Sequence, residues 1–327
     1  MSTESNILSA ARRPAADPSF HIAFCVDNHY FRSMGATIIS ILGNNPGVQF
    51  TFHVFAFSAS DQQRDRLQQL DRQPNVRTQL HIIDPALFDK FTHFIEFSYY
   101  SLSIFSRLII PAELQGVTDR VLYLDADILC VGKIDELIEM DIGTDIALVV
   151  PDAEETTRRR CAALQLKHPH YFNGGVIFIN VENWISNNIT EEAMQALLKF
   201  GKKLRFNDQD ALNIVLDGRA RFIAPKWNYI YDLIHDLDRN ITRMRPVENA
   251  VFIHFAGAVK PWTDWTRHDS RALFAKYHAL SPWSDMPLDP APRNSREMRM
   301  LSRFLLKRGK VLDSARWYLK YLKARSR

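Results

Sequence analysis

Short apolar runs that end in a carboxylate or a glycine alternate with helix-periodic stretches, and this alternation is what most narrows the fold. FHIAFCVD (20–27) is apolar up to Asp27 and reads as a buried first strand. Met34, Ile38, Ile41 and Leu42 then recur at helical spacing until Asn44-Asn45-Pro46-Gly47 stops the helix. VQFTFHVFAF (48–57) reads as a second strand, Ser60-Asp61 opens a polar helix through Leu70, and TQLHIID (78–84) is a third strand. The pattern predicts an α/β chain with a parallel, doubly wound sheet and helices on both faces. SIFSRLIIPAEL (103–114) reads as a helix broken at Pro111, followed by strands VLYLDADILCV (121–131), IALVVPD (146–152) and YFNGGVIFINV (171–181). ITEEAMQALLKF (189–200) is a helix with Thr190 as its cap, and FNDQDALNIVL (206–216) leads into a helix that Asp208 is placed to cap. FIAPKWNY (222–229) and AVFIHFAG (250–257) read as late strands.

A chain of 327 residues, 46% of them hydrophobic, can bury a large core without cross-links. The three cysteines, Cys25, Cys130 and Cys161, have no C-x-x-C spacing, so they read as reduced thiols in a cytoplasm rather than as a disulfide or zinc framework. Residues 1–19 lack the apolar core of a signal peptide and read as a flexible leader; no run of eighteen apolar residues stands ready to span a membrane. Charge is uneven: residues 291–327 hold twelve Lys/Arg against two Asp/Glu, while the preceding 290 hold 29 basic against 35 acidic. The tail therefore calls for an anionic partner. Prolines 282, 287, 290 and 292 mark a linker, beyond which Leu301, Phe304, Leu305, Leu312, Ala315, Leu319 and Leu322 recur at helical spacing, with Gly309 dividing two short helices.

Asp125-Ala126-Asp127 is the strongest chemical signal. Ligands gather at the carboxyl ends of strands in open α/β sheets, and two carboxylates there can share Mg²⁺ or Mn²⁺ and neutralise a diphosphate. The chain holds three D-x-D pairs, 125/127, 208/210 and 236/238. Pattern alone does not choose among them, but only the first follows an unbroken apolar strand. His254, at the end of another apolar run, is able to complete the metal shell, and mixed N/O ligation makes Mn²⁺ the natural ion. Gly257 lets backbone approach a phosphate and Lys260 can pair with it, although a lysine alone reads as a surface residue. Asn173-Gly174-Gly175 interrupts an apolar strand, as a bulge, a turn or a close approach would. Asp208 and Gln209 offer polar groups at a helix start, Asp27 an acceptor for a base or ribose, and Arg107 a contact for phosphate or sugar.

Taken in order, AFCVDNHY, SRL, LYLDAD, YFNGGV with NDQDALN, and HFAGAVKPW resemble the family 8 retaining glycosyltransferases over about residues 20–265. The resemblance implies a GT-A (Rossmann-like nucleotide-diphospho-sugar transferase) fold in 20–265 and a small helical, basic region in 266–327. It implies Asp125, Asp127 and His254 as Mn²⁺ ligands, with Mg²⁺ as the alternative ion. Asp27 and the backbone near Cys25 would hold the uracil and ribose of a UDP-sugar, and Gly257 and Lys260 the diphosphate. Arg107, Asp152, Asn173, Asp208 and Gln209 would contact the hexose, with Gln209 beside the anomeric carbon. Asn28 stands where the family carries a second aspartate.

WTDWTRHDSRALFAKYHALSPW and the basic end look like bacterial lipopolysaccharide core glycosyltransferases, which implies transfer of glucose or galactose to an anionic core acceptor. It also implies peripheral attachment at the cytoplasmic face of the inner membrane, in line with a basic tail carrying Trp317, Tyr318 and Tyr321. A self-glucosylating enzyme with a non-lipid acceptor, a sugar nucleotidyltransferase and a non-catalytic basic adaptor are the competing readings. VDNHYFRSMG lacks a nucleotidyltransferase's Gly-rich loop, and the ordered site blocks argue against an adaptor or a nucleic-acid partner.

Overall fold

The computed structural model describes residues 19–92 and 102–325, so most of the expected leader lies outside the described residues. The strands are β1 (Phe20–Cys25), β2 (Phe50–Ala56), β3 (Val76–Ile82), β4 (Arg120–Leu124), β5 (Ile128–Cys130), β6 (Ala147–Pro151), β7 (Phe172–Asn180), β8 (Arg221–Phe222), β9 (Tyr229–Ile230) and β10 (Phe252–His254). Among the described residues the main sheet has the order β3-β2-β1-β4-β7-β6-β8, and a small sheet has β5-β10-β9. Neighbours β3, β2, β1 and β4 are parallel, as the alternation predicts. β7 is not: it runs antiparallel to both β4 and β6. The helix Glu154–Leu164 and its following loop return the chain to the carboxyl end of β6, where Asp152 N–H donates to Tyr171 O, so β7 starts where β6 stops.

The expected strand 121–131 divides in two. Its first half ends at Leu124 in the main sheet, Asp125–Asp127 turn, and β5 joins β10 antiparallel in the small sheet. The expected strand 222–229 is also broken, because Pro225 starts a 3-10 turn over Pro225–Trp227 between β8 and β9. Residues 103–114 form a 3-10 turn and then the helix Ile110–Glu113, with Pro111 inside its first turn, where its missing N–H costs nothing. Ser60 caps its helix as expected, accepting from Gln63 N–H. Thr190 does not cap Ile189–Phe200: Asn188 stands at the cap, and the Thr190 hydroxyl donates to Leu108 O and accepts from Trp184 Nε1.

Alternate residues of the strands feed two cores. Ile22, Phe24, Phe52, Leu122 and Leu124 face one side, Ala23, Phe55, Val121 and Tyr123 the other. The first is closed by the helix Phe31–Asn44, whose Gly35 lies flat against the fully buried Trp283 indole. Residues 282–292 are thus no free linker. Trp283 is a core residue, and Arg32 donates to Pro287 O and to Asp289.

The tail forms the helices Ser295–Lys307 and Val311–Arg325, separated at Gly309 (φ +72°). Ser302 and Ser314 exchange hydroxyl-to-carbonyl bonds between them. Met300 and Phe304 pack onto the body, while Leu312 and Leu319 point outward, 88% and 66% exposed. Part of the basic charge meets local partners: Arg303 and Lys307 pair with Asp238, and Arg308 reaches Asn240 and Thr266 O. None of the described helices is long and apolar enough to cross a membrane.

A methyl added at Gly35 would collide with Trp283 Cε3 and Cζ3, both buried ring atoms that cannot swing away. Gly35→Ala is expected to lower unfolding free energy by about 1–3 kcal/mol in urea titrations, with far-UV circular dichroism unchanged.

Candidate active site

A cavity of about 490 Å³ opens at the carboxyl ends of β1, β4 and β6, and all twelve residues singled out from the sequence line it. Ile230, Asp232 and Ile234 form part of its wall, and Arg205, Phe206 and Arg296 also border it. No sequence signal marked those residues; Arg296 arrives from the tail helix, more than forty positions beyond His254.

The turn after β4 carries both carboxylates to the cavity. Asp125 N–H donates to Gly175 O at 2.8 Å, fixing the turn, and antiparallel pairing of β5 with β10 places Ile128 opposite His254. One ligand atom from each of Asp125, Asp127 and His254 then lies within 4.8 Å of the others. His254 Nε2 stands 3.2 Å from Asp127 Oδ1 and 3.8 Å from Asp125 Oδ2. Asp127 Oδ1 is buried and, apart from its contact with His254 Nε2, makes no hydrogen bond, a costly state for a carboxylate oxygen unless a cation meets it. Burial pushes the Asp127 carboxyl up, but Lys260 and His254 together outweigh it and hold the group ionised well below the usual range. A buried carboxylate oxygen, a second carboxylate and an imidazole nitrogen converging on one point fit a divalent metal ion.

The other two D-x-D pairs lie in helices, where i and i+2 point to different sides. Asp210 is fully buried against Arg160, Tyr171 OH and the N–H groups of Arg205 and Phe206. Asp236 holds Tyr231 OH and Arg245, and Asp238 holds the tail. Asp208 faces the cavity but does not cap its helix, Asn207–Val215, where Phe206 occupies the cap position; its carboxylate meets Arg107 Nε at 2.8 Å. Burial lifts the Asp208 carboxyl to about 6 although Arg107 pulls it down.

Arg107 is a buried strut. Nη1 donates to Gly174 O at 2.7 Å, Nη2 reaches Asp125 at 3.2 Å, and the guanidinium lies 4.6 Å from the Tyr123 ring centroid. Gly174 N–H donates to Gln209 Oε1, which orients the amide so that Nε2 donates to Asp152 Oδ2 at 3.0 Å. Asn173 Nδ2 donates to the same oxygen at 3.2 Å. The double glycine lies beside the register break of β6 on β7 and is also a close approach. A Cβ on Gly174 would crowd Arg107 Nη1, and one on Gly175 would strike the His254 ring.

Lys260 Nζ donates to Asp127 and to Phe255 O. It is thus a partly buried member of the site, not a surface lysine. Gly257 sits at φ +94° with open space where a Cβ would project. Asp27 Oδ1 accepts from the N–H groups of His29 and Tyr30, Cys25 lies at the end of β1, and burial pushes the Cys25 thiol far up, so it stays protonated. Asn28 is exposed.

The chain matches the profile of "Glycosyl transferase family 8" over residues 21–266, and that of "Glycosyl transferase family 8 C-terminal" over 269–325. It is 32% identical to a lipopolysaccharide 1,3-galactosyltransferase of Salmonella typhimurium, covering 93% of this chain and 90% of that protein. It is 30% identical to a lipopolysaccharide 1,2-glucosyltransferase of Escherichia coli, with the same coverage. The fold is similar to that of the galactosyltransferase LgtC, solved with donor and acceptor sugar analogs, at a TM-score of 0.67 and 21% identity over 80% of this chain and 96% of that one.

Gly175→Ala is expected to displace His254 and weaken divalent-metal binding at least about 10-fold, read by titration calorimetry. Asp208 holds its proton more tightly when folded, up to about 6, than at its ordinary value of 3.8, so the folded chain binds more protons in that window. Stability contributed by this group is therefore present below about 4 and lost as pH rises through about 6. Asp208→Asn should remove this loss, so the variant's unfolding free energy relative to wild type improves from pH 4 to 6 in urea titrations.

Proposed function

The chain belongs to glycosyl transferase family 8 and is a hexosyltransferase of the GT-A fold, and from that premise we propose that it moves glucose or galactose from a UDP-sugar, with retention, onto the outer core of lipopolysaccharide. The observation that carries the donor reading is the buried Asp127 Oδ1 facing Asp125 and His254 beside Lys260. The acceptor reading rests on the two lipopolysaccharide glycosyltransferases that the chain matches over nine-tenths of its length.

Asp125, Asp127 and His254 would hold Mn²⁺, with Mg²⁺ as a substitute, and that ion would supply positive charge to the departing diphosphate. Lys260 adds a second cation at the same place, and the open backbone at Gly257 lets phosphate oxygens approach. Asp27 keeps an oxygen for the ribose or uracil at the β1 end. Arg107, Asp152, Asn173, Asp208 and Gln209 orient the hexose from the far wall. The acceptor hydroxyl attacks the anomeric carbon on the face that the diphosphate leaves, and its proton passes to the departing phosphate oxygen. Asp208 is engaged by Arg107, and Gln209 Oε1 already accepts from Gly174 N–H, so both serve orientation better than covalent attack.

Localisation at the cytoplasmic face of the inner membrane rests on the outer side of the last helix. Leu312, Leu319 and Leu322 are exposed there among Arg316, Lys320 and Lys323, an amphipathic surface suited to anionic headgroups.

Offering UDP-glucose and UDP-galactose with truncated lipopolysaccharide cores, and determining product linkage, tests the reaction; an inverted product would overturn retention. Asp127→Ala or EDTA treatment is expected to reduce transfer below detection, with full recovery from EDTA on adding Mn²⁺. Leu312→Glu with Leu319→Glu should abolish co-sedimentation with anionic vesicles while donor hydrolysis continues unchanged.

A further inference from the structure

We propose that Asn228 is a positioning residue that fixes the proton of His254 on Nδ1 and so presents a bare Nε2 lone pair to the metal position. The argument starts from a backbone donor whose direction is not in question. Gly175 N–H lies 3.0 Å from Asn173 Oδ1, so that side-chain atom is an oxygen. Asn228 approaches the same oxygen at 2.9 Å and must do so with its NH₂ group. Its other terminal atom, at 3.0 Å from His254 Nδ1, is therefore the carbonyl oxygen. An oxygen there accepts, so Nδ1 carries the hydrogen and Nε2 carries none.

The order Gly175 N–H, Asn173, Asn228, His254 is thus directional at every link, and all three side chains are buried, 8%, 2% and 3% exposed. Water is poorly placed to substitute for a missing link. The opposite tautomer would put its proton on Nε2, 3.2 Å from Asp127 Oδ1, and fill the point on which the ligands converge. Asn173, singled out for the hexose, also carries the relay, which places the tautomer of His254 and the wall of the sugar subsite under one side chain.

This inference rests on the metal reading above, and its test separates the two. In metal-free wild-type enzyme at pH 8.5, two-bond ¹⁵N–¹H spectra should show His254 protonated on Nδ1 alone, with its signals identified by their absence from His254→Ala. A proton on Nε2 of the wild type overturns the relay whether or not any variant folds. Asn228→Leu, with the same side-chain branching but unable to accept, should move the proton to Nε2 and weaken Mn²⁺ binding about 10- to 100-fold, read from the electron paramagnetic resonance of free Mn²⁺. Asn228→Asp keeps an acceptor for Nδ1 and should retain the wild-type tautomer, with Mn²⁺ affinity within a few-fold. Equal affinity in Asn228→Leu and wild type overturns the relay alone. Absence of Mn²⁺ binding from wild type overturns the metal reading beneath it.

Discussion

Two carboxylates and an imidazole crowd within 4.8 Å at the end of β4, and the surroundings are arranged so that this crowding is tolerable. Like charges in a site shielded from water repel strongly. Lys260 meets Asp127 and Arg107 meets Asp125, so each carboxylate has its own cation before any ligand arrives. The cluster is held together by charges at its edges.

The rest of the fold follows from keeping those groups in register. β4 has to stop at Leu124 so that the turn can present Asp125 and Asp127, and the small sheet β5-β10-β9 exists to bring His254 alongside. β7 has to run backwards, because only then does its first end carry Asn173-Gly174-Gly175 to the same edge as the last residues of β4. Backbone N–H groups of the two glycines then orient two amides, Gln209 and Asn173. A parallel strand in that place would have offered its other end.

Much of this was legible because it is local. The first three strands and the Asp125-Ala126-Asp127 turn announce themselves through apolar runs of the right length, and every residue picked out for chemistry reaches the one cavity. What was hidden depends on groups far apart in the chain. The direction of β7 is set by where a helix and loop deliver it, not by its own apolar composition. Pro225 broke a segment whose remaining residues read as strand. Asn228 looks like any polar residue after a tryptophan, and its meaning appears only with Asn173 and His254 beside it. The basic tail read as one uniform signal, yet Arg303, Lys307 and Arg308 turn inward to the body while the apolar row of the last helix turns out.

The double glycine of β7 has a consequence for anyone who would transplant the metal-ligand set proposed above to another protein. Copying Asp125, Asp127 and His254 onto a new sheet would reproduce the donors but not the room they need, because the imidazole ring lies where a neighbouring strand's Cβ normally projects. The graft would have to import a stretch of bare backbone from a strand that supplies no ligand atom. In this chain the smallest transferable unit is therefore three strand ends together, β4, β7 and β10, and a host able to match only two of them would receive the ligands without the geometry.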